Sequence, residues 1–406
     1  MGRPQRRDVD RDLAAILALI LLLTVVLALA VAVIPHRNRS GLPRGRQVNR
    51  SRKPTPTAPP PSSPPPPPHV TSEEMICRLV GETSRGVGVF GADLGVPVIV
   101  STGGGERLAL LFGDVFSPGG GGANAAATFE PPLRDCPDLE WVTDPDGRFA
   151  EMWPSLREDW VDSSTVPAGA VEVGGVLYVY AMRVTHWAKR LNASDSVHAY
   201  GVLFSGRLGE GFVETEVRWP LDEKFVNVAP VMGRLPSGEE VVYLLASGRF
   251  RDSPIYLGYV PPDDIADPAA YRYFSGLDSD GAPTWSSSLE DAVPVVEDVR
   301  VGELSVIYHP TAGAYLLMYK NYGGRPGFHL RVARDLWGPY SQPEVLTPCV
   351  PRPAWFEGPA WGGCYGGYLI PGEFGEDGLS LYYTLSLWVP YSTFLMRLSL
   401  SSLPGG

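Results

Sequence analysis

Five β-rich runs of similar make-up recur along this chain: ALLFGD ending at Asp114, LYVYAM ending at Met182, VYLLAS ending at Ser247, YLLMYK ending at Lys320 and LYYTLS ending at Ser386. They lie 68, 65, 73 and 66 residues apart. Each is preceded by another strand-like segment and a turn: GADLGVPVIV, DSSTVPAGAVEV, VNVAPVMGRL, GELSVIYHP and YGGYLIP. Most continue into further strands such as HAYGVLFSG, PIYLGYV, FHLRVAR and TFLMRLSL. Little helical periodicity appears after residue 74, and Gly, Pro, Asp and Ser separate the runs. Three or four strands per unit of this length describe a propeller blade, so the chain reads as all-β, a five-bladed β-propeller over residues 74–402. An ordinary β-sandwich would leave five periodic copies unexplained.

In a propeller the first strand of each blade lines the central channel. Its opening residues therefore face the pocket: Asp93 in blade 1, Asp162, Ser163 and Ser164 in blade 2, Asn227 in blade 3, Glu303 and Ser305 in blade 4, and Tyr365 in blade 5. Blade 1 is the most suggestive. Gly91 to Phe116 reads as a hairpin about a glycine-rich turn, so residues whose numbers sum to about 207 oppose one another, 100 with 107 and 93 with 114. Opposed residues hold their Cβ atoms roughly 4.5–5.5 Å apart. Asp93 and Asp114 would then share one rim, as paired acids do for chemistry on a glycosidic bond; either alone also reads as a turn aspartate. The same arithmetic sets His186 opposite Asp162 and Lys320 near Glu303, a pairing that would leave Glu303 structural. Trp160, Trp187, Trp388 and Tyr391 lie near the rim, where indoles stack on sugar faces or pack between blades.

Charge excludes one class of partner. Residues 1–53 hold 11 of the 34 Lys+Arg, leaving 23 against 42 Asp+Glu in the remainder, a formal −19. A body that acidic is no nucleic-acid binder. Cys77, Cys136, Cys349 and Cys364 show no zinc spacing. Cys349 with Cys364 could staple one loop and Cys77 with Cys136 could tie the start of the domain to a long loop, or all four are reduced. No metal or other cofactor motif is present.

Residues 1–12 form a basic flank, and 13–34 are 22 positions without a charge, long enough to span a bilayer as a helix. The Ala-Leu-Ala-Val-Ala tail leaves cleavage open; a retained anchor is the expectation. Residues 35–73 are a linker, basic and then proline-rich. Seven Arg/Lys follow the span and four precede it, which by the positive-inside rule would keep the domain in the cytoplasm. The stretch KPTPTAPPPSSPPPPP argues otherwise. It forms a stiff polyproline spacer of about 45 Å, suited to holding a domain off the outer face of a membrane.

Gly-Ala-Asp-Leu-Gly-Val-Pro with Leu-Phe-Gly-Asp-Val-Phe, the central Gly-Glu-Leu-Ser-Val-Ile-Tyr and the closing Tyr-Thr-Leu-Ser-Leu-Trp-Val-Pro-Tyr-Ser-Thr-Phe-Leu-Met-Arg together resemble domain-of-unknown-function family 4185. That family includes the endo-acting D-arabinofuranosidases grouped as glycoside hydrolase family 183. The resemblance covers roughly residues 76–400. It implies a five-bladed propeller hydrolase of D-arabinan, the furanose polymer of arabinogalactan and lipoarabinomannan in actinobacterial envelopes. By motif, its acidic pair looks like Asp93 and Asp114, and Glu303 matches a recurrent glutamate. Asp162 is similar in place to a blade-2 aspartate that tunes the acid in other five-bladed glycosidases. His186, Lys320, Trp160, Trp187, Trp388 and Tyr391 are the expected substrate contacts. Ser117 to Asp159 departs from the family pattern as a long glycine-rich insertion, expected to form a lid or reshape substrate access.

The expectation is a monomeric, membrane-anchored hydrolase outside the cytoplasm whose partner is cell-wall polysaccharide. The alternative is a silent propeller that binds such a polysaccharide or a protein. A reporter fused after Gly406 is expected to be active outside the cytoplasm. Activity confined to the cytoplasm would overturn the orientation.

Overall fold

The five recurrent runs are buried on both faces, which is why they read as continuous apolar stretches rather than alternating ones. In the computed structural model, which describes residues 63–118, 120–153, 164–186, 197–346 and 362–403, each run is the second strand of a separate antiparallel sheet. The described chain starts with β1 (His69–Arg78), five residues before the expected start of the propeller. Blade 1 is β2 (Gly91–Thr102), β3 (Gly105–Ser117), β4 (Gly120–Phe129) and β5 (Glu140–Trp141). Blade 2 is β6 (Ser164–Val173), β7 (Val176–His186), β8 (His198–Arg207) and β9 (Gly211–Arg218). Blade 3 is β10 (Asn227–Arg234), β11 (Glu240–Ser247), β12 (Ile255–Val260), β13 (Arg272–Leu277) and β14 (Pro283–Ser286), with β15 (Pro294–Val296) added beside β12. Blade 4 is β16 (Val301–His309), β17 (Ala314–Asn321), β18 (Gly327–Ala333) and β19 (Glu344–Leu346). Blade 5 is β20 (Gly362–Leu369), β21 (Ser380–Val389) and β22 (Ser392–Ser402), completed on its outer edge by β1.

The inner strands β2, β6, β10, β16 and β20 contact one another in turn, and β20 returns to β2. The ring is a five-bladed β-propeller. It closes by pairing the two ends of the domain, His69 opposite Ser402 and Arg78 opposite Phe394. A disulfide between Cys77 and Cys136 ties that closing strand to blade 1. Cys364 is also disulfide-bonded, and Cys349 lies outside the described residues. The segment 117–159 is not an insertion over the blade: β4 and β5 come from it and form the outer half of blade 1. It then reaches blade 2, where Trp153 stacks on Phe204 at 4.7 Å.

The core lies between the blades. Tyr180 and Leu203 of blade 2 meet Val242 and Leu244 of blade 3, and Phe328 of blade 4 meets Tyr383 and Phe394 of blade 5. The proposed span 13–34 lies outside the described residues; among those described, no helix is long and apolar enough to cross a membrane.

Near the axis the inner strands approach until only glycine fits. A Cβ on Gly169 of blade 2 would lie 2.4 Å from both Pro230 Cδ and the Val228 carbonyl of blade 3. Gly169→Ala is therefore expected to cost about 1–3 kcal/mol or more through overpacking, read as a lowered midpoint in urea. An unchanged midpoint would contradict the close approach.

Candidate active site

All five inner strands begin at the same end of the channel, so Asp93, Ser164, Asn227, Glu303 and Tyr365 gather at one mouth. The hairpin arithmetic holds over most of blade 1, where Val100 pairs with Arg107, but two irregularities in β2 change it near the mouth. Asp93 faces Gly113, not Asp114. The cause is a bulge at Leu94 and Gly95, both in the left-handed region (φ 64° and 68°). Asp114, itself at φ 41°, still interacts electrostatically with Asp93.

Blade 5 fixes this bulge. Leu94 N–H donates to Ser386 Oγ (2.8 Å), Thr384 Oγ1 donates to the Gly95 carbonyl (3.0 Å), and Thr393 Oγ1 donates to the Ala92 carbonyl (3.1 Å). Those three hydroxyl-bearing side chains are fully buried. The Asp93 carboxylate is held the same way, with Tyr365 and Tyr391 each donating to Oδ2 at 2.7 Å. Gly113 leaves room for it, since a Cβ there would lie 3.2 Å from Asp93 Oδ1. Trp388, half-exposed, stacks on Tyr365 at 5.2 Å.

The two acids differ in environment. Burial, then the Asp114 charge, raise Asp93 well above the usual carboxylate range, although the two tyrosine hydrogen bonds and Glu303 also act on it, the tyrosines lowering and Glu303 raising. Burial raises Asp114 to about 6, against a hydrogen bond with Ser164 that lowers it. Oδ2 of Asp93 already accepts two hydrogen bonds, which leaves Oδ1, a buried atom without a hydrogen-bond partner, as the oxygen open to a proton.

Glu303 does not pair with Lys320. Its Oε1 lies 2.7 Å from Arg251 Nη2, an ion pair buried on the glutamate side. Between Val301 and Leu304 the register with β17 shifts, so simple opposition fails there. Lys320 sits over the Phe328 ring at 4.6 Å. Burial lowers its pKa while Glu303 raises it and Arg251 lowers it further. Arg251 was not legible as a site residue. It lies in the loop after β11 at φ 55°, with Phe250 and Tyr322 rings 4.5 and 4.7 Å from its guanidinium carbon; its sole sequence signal is a cation just beyond the third recurrent run.

Of the expected substrate contacts, Trp388 and Tyr391 are at the mouth. His186 ends β7 opposite His198, whose Nδ1 is 2.5 Å from Asp222 Oδ2. Asp162, Trp160 and Trp187 lie outside the described residues. Among the described residues, buried side-chain atoms without a hydrogen-bond partner concentrate here: Asp93 Oδ1, Asn227 Oδ1, Glu303 Oε2 and Arg251 Nε, the others being on Arg107. Buried polar atoms are normally satisfied, so a ligand rich in hydroxyls suits this mouth. A cavity of about 580 Å³ opens at the other end of the channel, walled by Val98, Ile99, Val231, Met232, Tyr308 and Phe374. It is mainly apolar, and its lining includes none of the mouth's acids.

An acid raised by burial costs stability once it ionises. The folded-state pKa of Asp114 exceeds its ordinary 3.8, so its relative stabilisation is complete below that value and is lost as pH rises through about 6. Asp114→Asn and Asp93→Asn are therefore expected to raise the melting temperature at about pH 8 more than at about pH 4. Equal shifts at both pH values would contradict the buried, strained acid pair.

The family model described as "Domain of unknown function (DUF4185)" matches residues 80–397. No curated protein sequence matches the chain. Among solved structures, a Bacteroides ovatus protein is similar with a TM-score of 0.49 and 14% identity, over 78% of this chain and 87% of that one. An α-L-arabinofuranosidase from Podospora anserina gives 0.45 and 12% over 85% and 100%. A GH43_1 enzyme from Xanthomonas citri gives 0.43 and 15% over 82% and 96%.

Proposed function

Because the chain belongs to the DUF4185 family and sets two differently tuned acids at one channel mouth, we propose that it is a glycoside hydrolase cleaving D-arabinofuranosyl linkages in cell-wall arabinan. The observation that carries this reading is the asymmetry of the pair. Asp93, buried beside the Asp114 charge, is raised well above the usual range and has one unpartnered oxygen, Oδ1, while burial raises Asp114 only to about 6. Two carboxyl groups pushed apart in this way supply an acid and a base or nucleophile.

Asp93 Oδ1 gives its proton to the leaving glycosidic oxygen as the C1–O bond breaks. Asp114 supplies electrons at C1, directly or by taking a proton from the water that adds there. Glu303, with one oxygen on Arg251, turns its unpartnered Oε2 toward the positive charge that develops on the sugar. Asn227, Lys320, Trp388 and Tyr391 bind and orient the substrate, and His186, Asp162, Trp160 and Trp187 are further substrate contacts. The segment 13–34 anchors the chain, and the proline-rich spacer carries the domain outside the cytoplasm, within reach of arabinogalactan and lipoarabinomannan. The enzyme works as a monomer without a cofactor.

New reducing ends are expected when the soluble piece, residues 63–406, is incubated with arabinogalactan. Asp93→Asn and Asp114→Asn are each expected to lower kcat by about 10²–10⁴-fold while leaving glycan binding measurable. Full activity in both variants would reject the site. Binding without turnover in the unmodified chain would make the propeller a polysaccharide-binding protein.

A further inference from the structure

Next to the acids lies a rank of aromatic rings that reaches beyond Trp388 and Tyr391 to Phe116, which has no part in the catalytic account. Phe116 contacts Tyr391 edge to face at 4.7 Å, Tyr391 contacts Trp388 at 5.8 Å, and Trp388 stacks on Tyr365 at 5.2 Å. Phe116 and Trp388 are each 42% exposed. The rank runs across the seam between blades 5 and 1, because Phe116 is the last residue but one of β3 while Trp388 and Tyr391 flank the β21–β22 turn. Beyond Phe116 the row continues at Phe90, 46% exposed, whose amide donates to the Phe116 carbonyl and whose ring lies beneath Arg85 at 5.6 Å.

Single exposed apolar residues are ordinary, and the exposed Val213, Leu277 and Val299 elsewhere on the chain are of that kind. A contiguous run of rings ending on a buried carboxylate is different. Two glycines make room for it. A Cβ on Gly363 would lie 3.0 Å from Trp388 Cβ and Cδ1, and one on Gly91 would lie 2.8 Å from the Tyr391 carbonyl. Flat exposed rings beside unpartnered oxygens match a ligand with apolar C–H faces and hydroxyl edges, repeated along its length.

We propose that this aromatic rank is a binding track for sugar residues flanking the bond at Asp93, so that the chain engages a polysaccharide along the seam of blades 5 and 1. The proposal rests on the carbohydrate reading of the mouth but not on turnover. Direction follows from the order of the rings: the polymer leaves the pocket past Tyr365, crosses Trp388 and Tyr391, and reaches Phe116. The site thereby favours a long glycan over a short one.

The test measures Kd by calorimetry for D-arabinofuranosyl oligosaccharides from disaccharide to octasaccharide, using the Asp114→Asn protein to prevent turnover. Affinity is expected to tighten with length, and Phe116→Ala or Trp388→Ala is expected to weaken octasaccharide binding about 3- to 10-fold, with a smaller loss on the disaccharide. Phe116→Tyr keeps the ring and should keep the length dependence, which separates stacking from packing. Affinity that is flat with length, absent at every length, or unchanged in Phe116→Ala would overturn the track. New reducing ends from the unmodified chain are scored separately, so the hydrolase reading can survive that result. Length-dependent binding without any reducing ends would sustain the track and remove the hydrolase.

Discussion

The structure depends on the clamp that blade 5 places on blade 1. Ser386, Thr384 and Thr393 hold the backbone on both sides of Asp93, while Tyr365 and Tyr391 hold its carboxylate. The partners are separated by about 270 to 300 residues in sequence, and they meet because β1 closes the ring against β22. Closing the propeller and building the acid site are the same event. The hydroxyls and backbone groups of the clamp are buried and paired, the condition under which such a network specifies one geometry, and only Oδ1 of Asp93 is left over. Without it, the left-handed Leu94 would have no reason to persist, since such backbone costs about 1–3 kcal/mol.

Strain concentrates where the chemistry is proposed. Of the five non-glycine residues with positive φ among those described, Leu94, Asp114 and Arg251 surround the mouth. Each presents a group that regular strand geometry would aim elsewhere. Asp114 interacts with Asp93 although the register does not oppose them, and Arg251 reaches back from a loop to Glu303. Two acids and an ion pair in one buried mouth work against stability, and the packed seams between blades offset that cost.

How much of this was legible follows from which signals are local. The five runs were visible because a second strand packs against blades on both faces, so most of its positions are apolar. The starts of the inner strands were legible from the repeat, and with them Asp93, Asn227, Glu303 and Tyr365. What failed was anything set by a bulge. A shift in β2 between Leu94 and Val96 moved Asp93 opposite Gly113, and Arg251 rather than the nearby Lys320 took the ion pair with Glu303. Opposition by arithmetic assumes an uninterrupted ladder, and functional rims are where ladders are interrupted. The stretch 117–159 misled for another reason: small residues such as Ala125, Ala126 and Ala127 carry little strand propensity, yet they fill the narrow space between blades. Arg251 was invisible because its partner lies 52 residues away.

The two ends of the channel finally separate what a cavity offers from what a site requires. The cavity at the far end, about 580 Å³, is mainly apolar, walled by the far halves of the same strands that carry the acids. Its lining is satisfied by packing. The mouth has the opposite imbalance: side-chain oxygens from blades 1, 3 and 4 are removed from water without partners. An unmade hydrogen bond at a buried group costs about 1–3 kcal/mol, so a ligand that supplies several hydroxyls at once recovers much of what folding left unsatisfied. That stored deficit, set beside exposed rings and a buried acid with an unpartnered oxygen, makes the polar mouth rather than the apolar cavity the place where a hydroxyl-rich ligand gains most by binding.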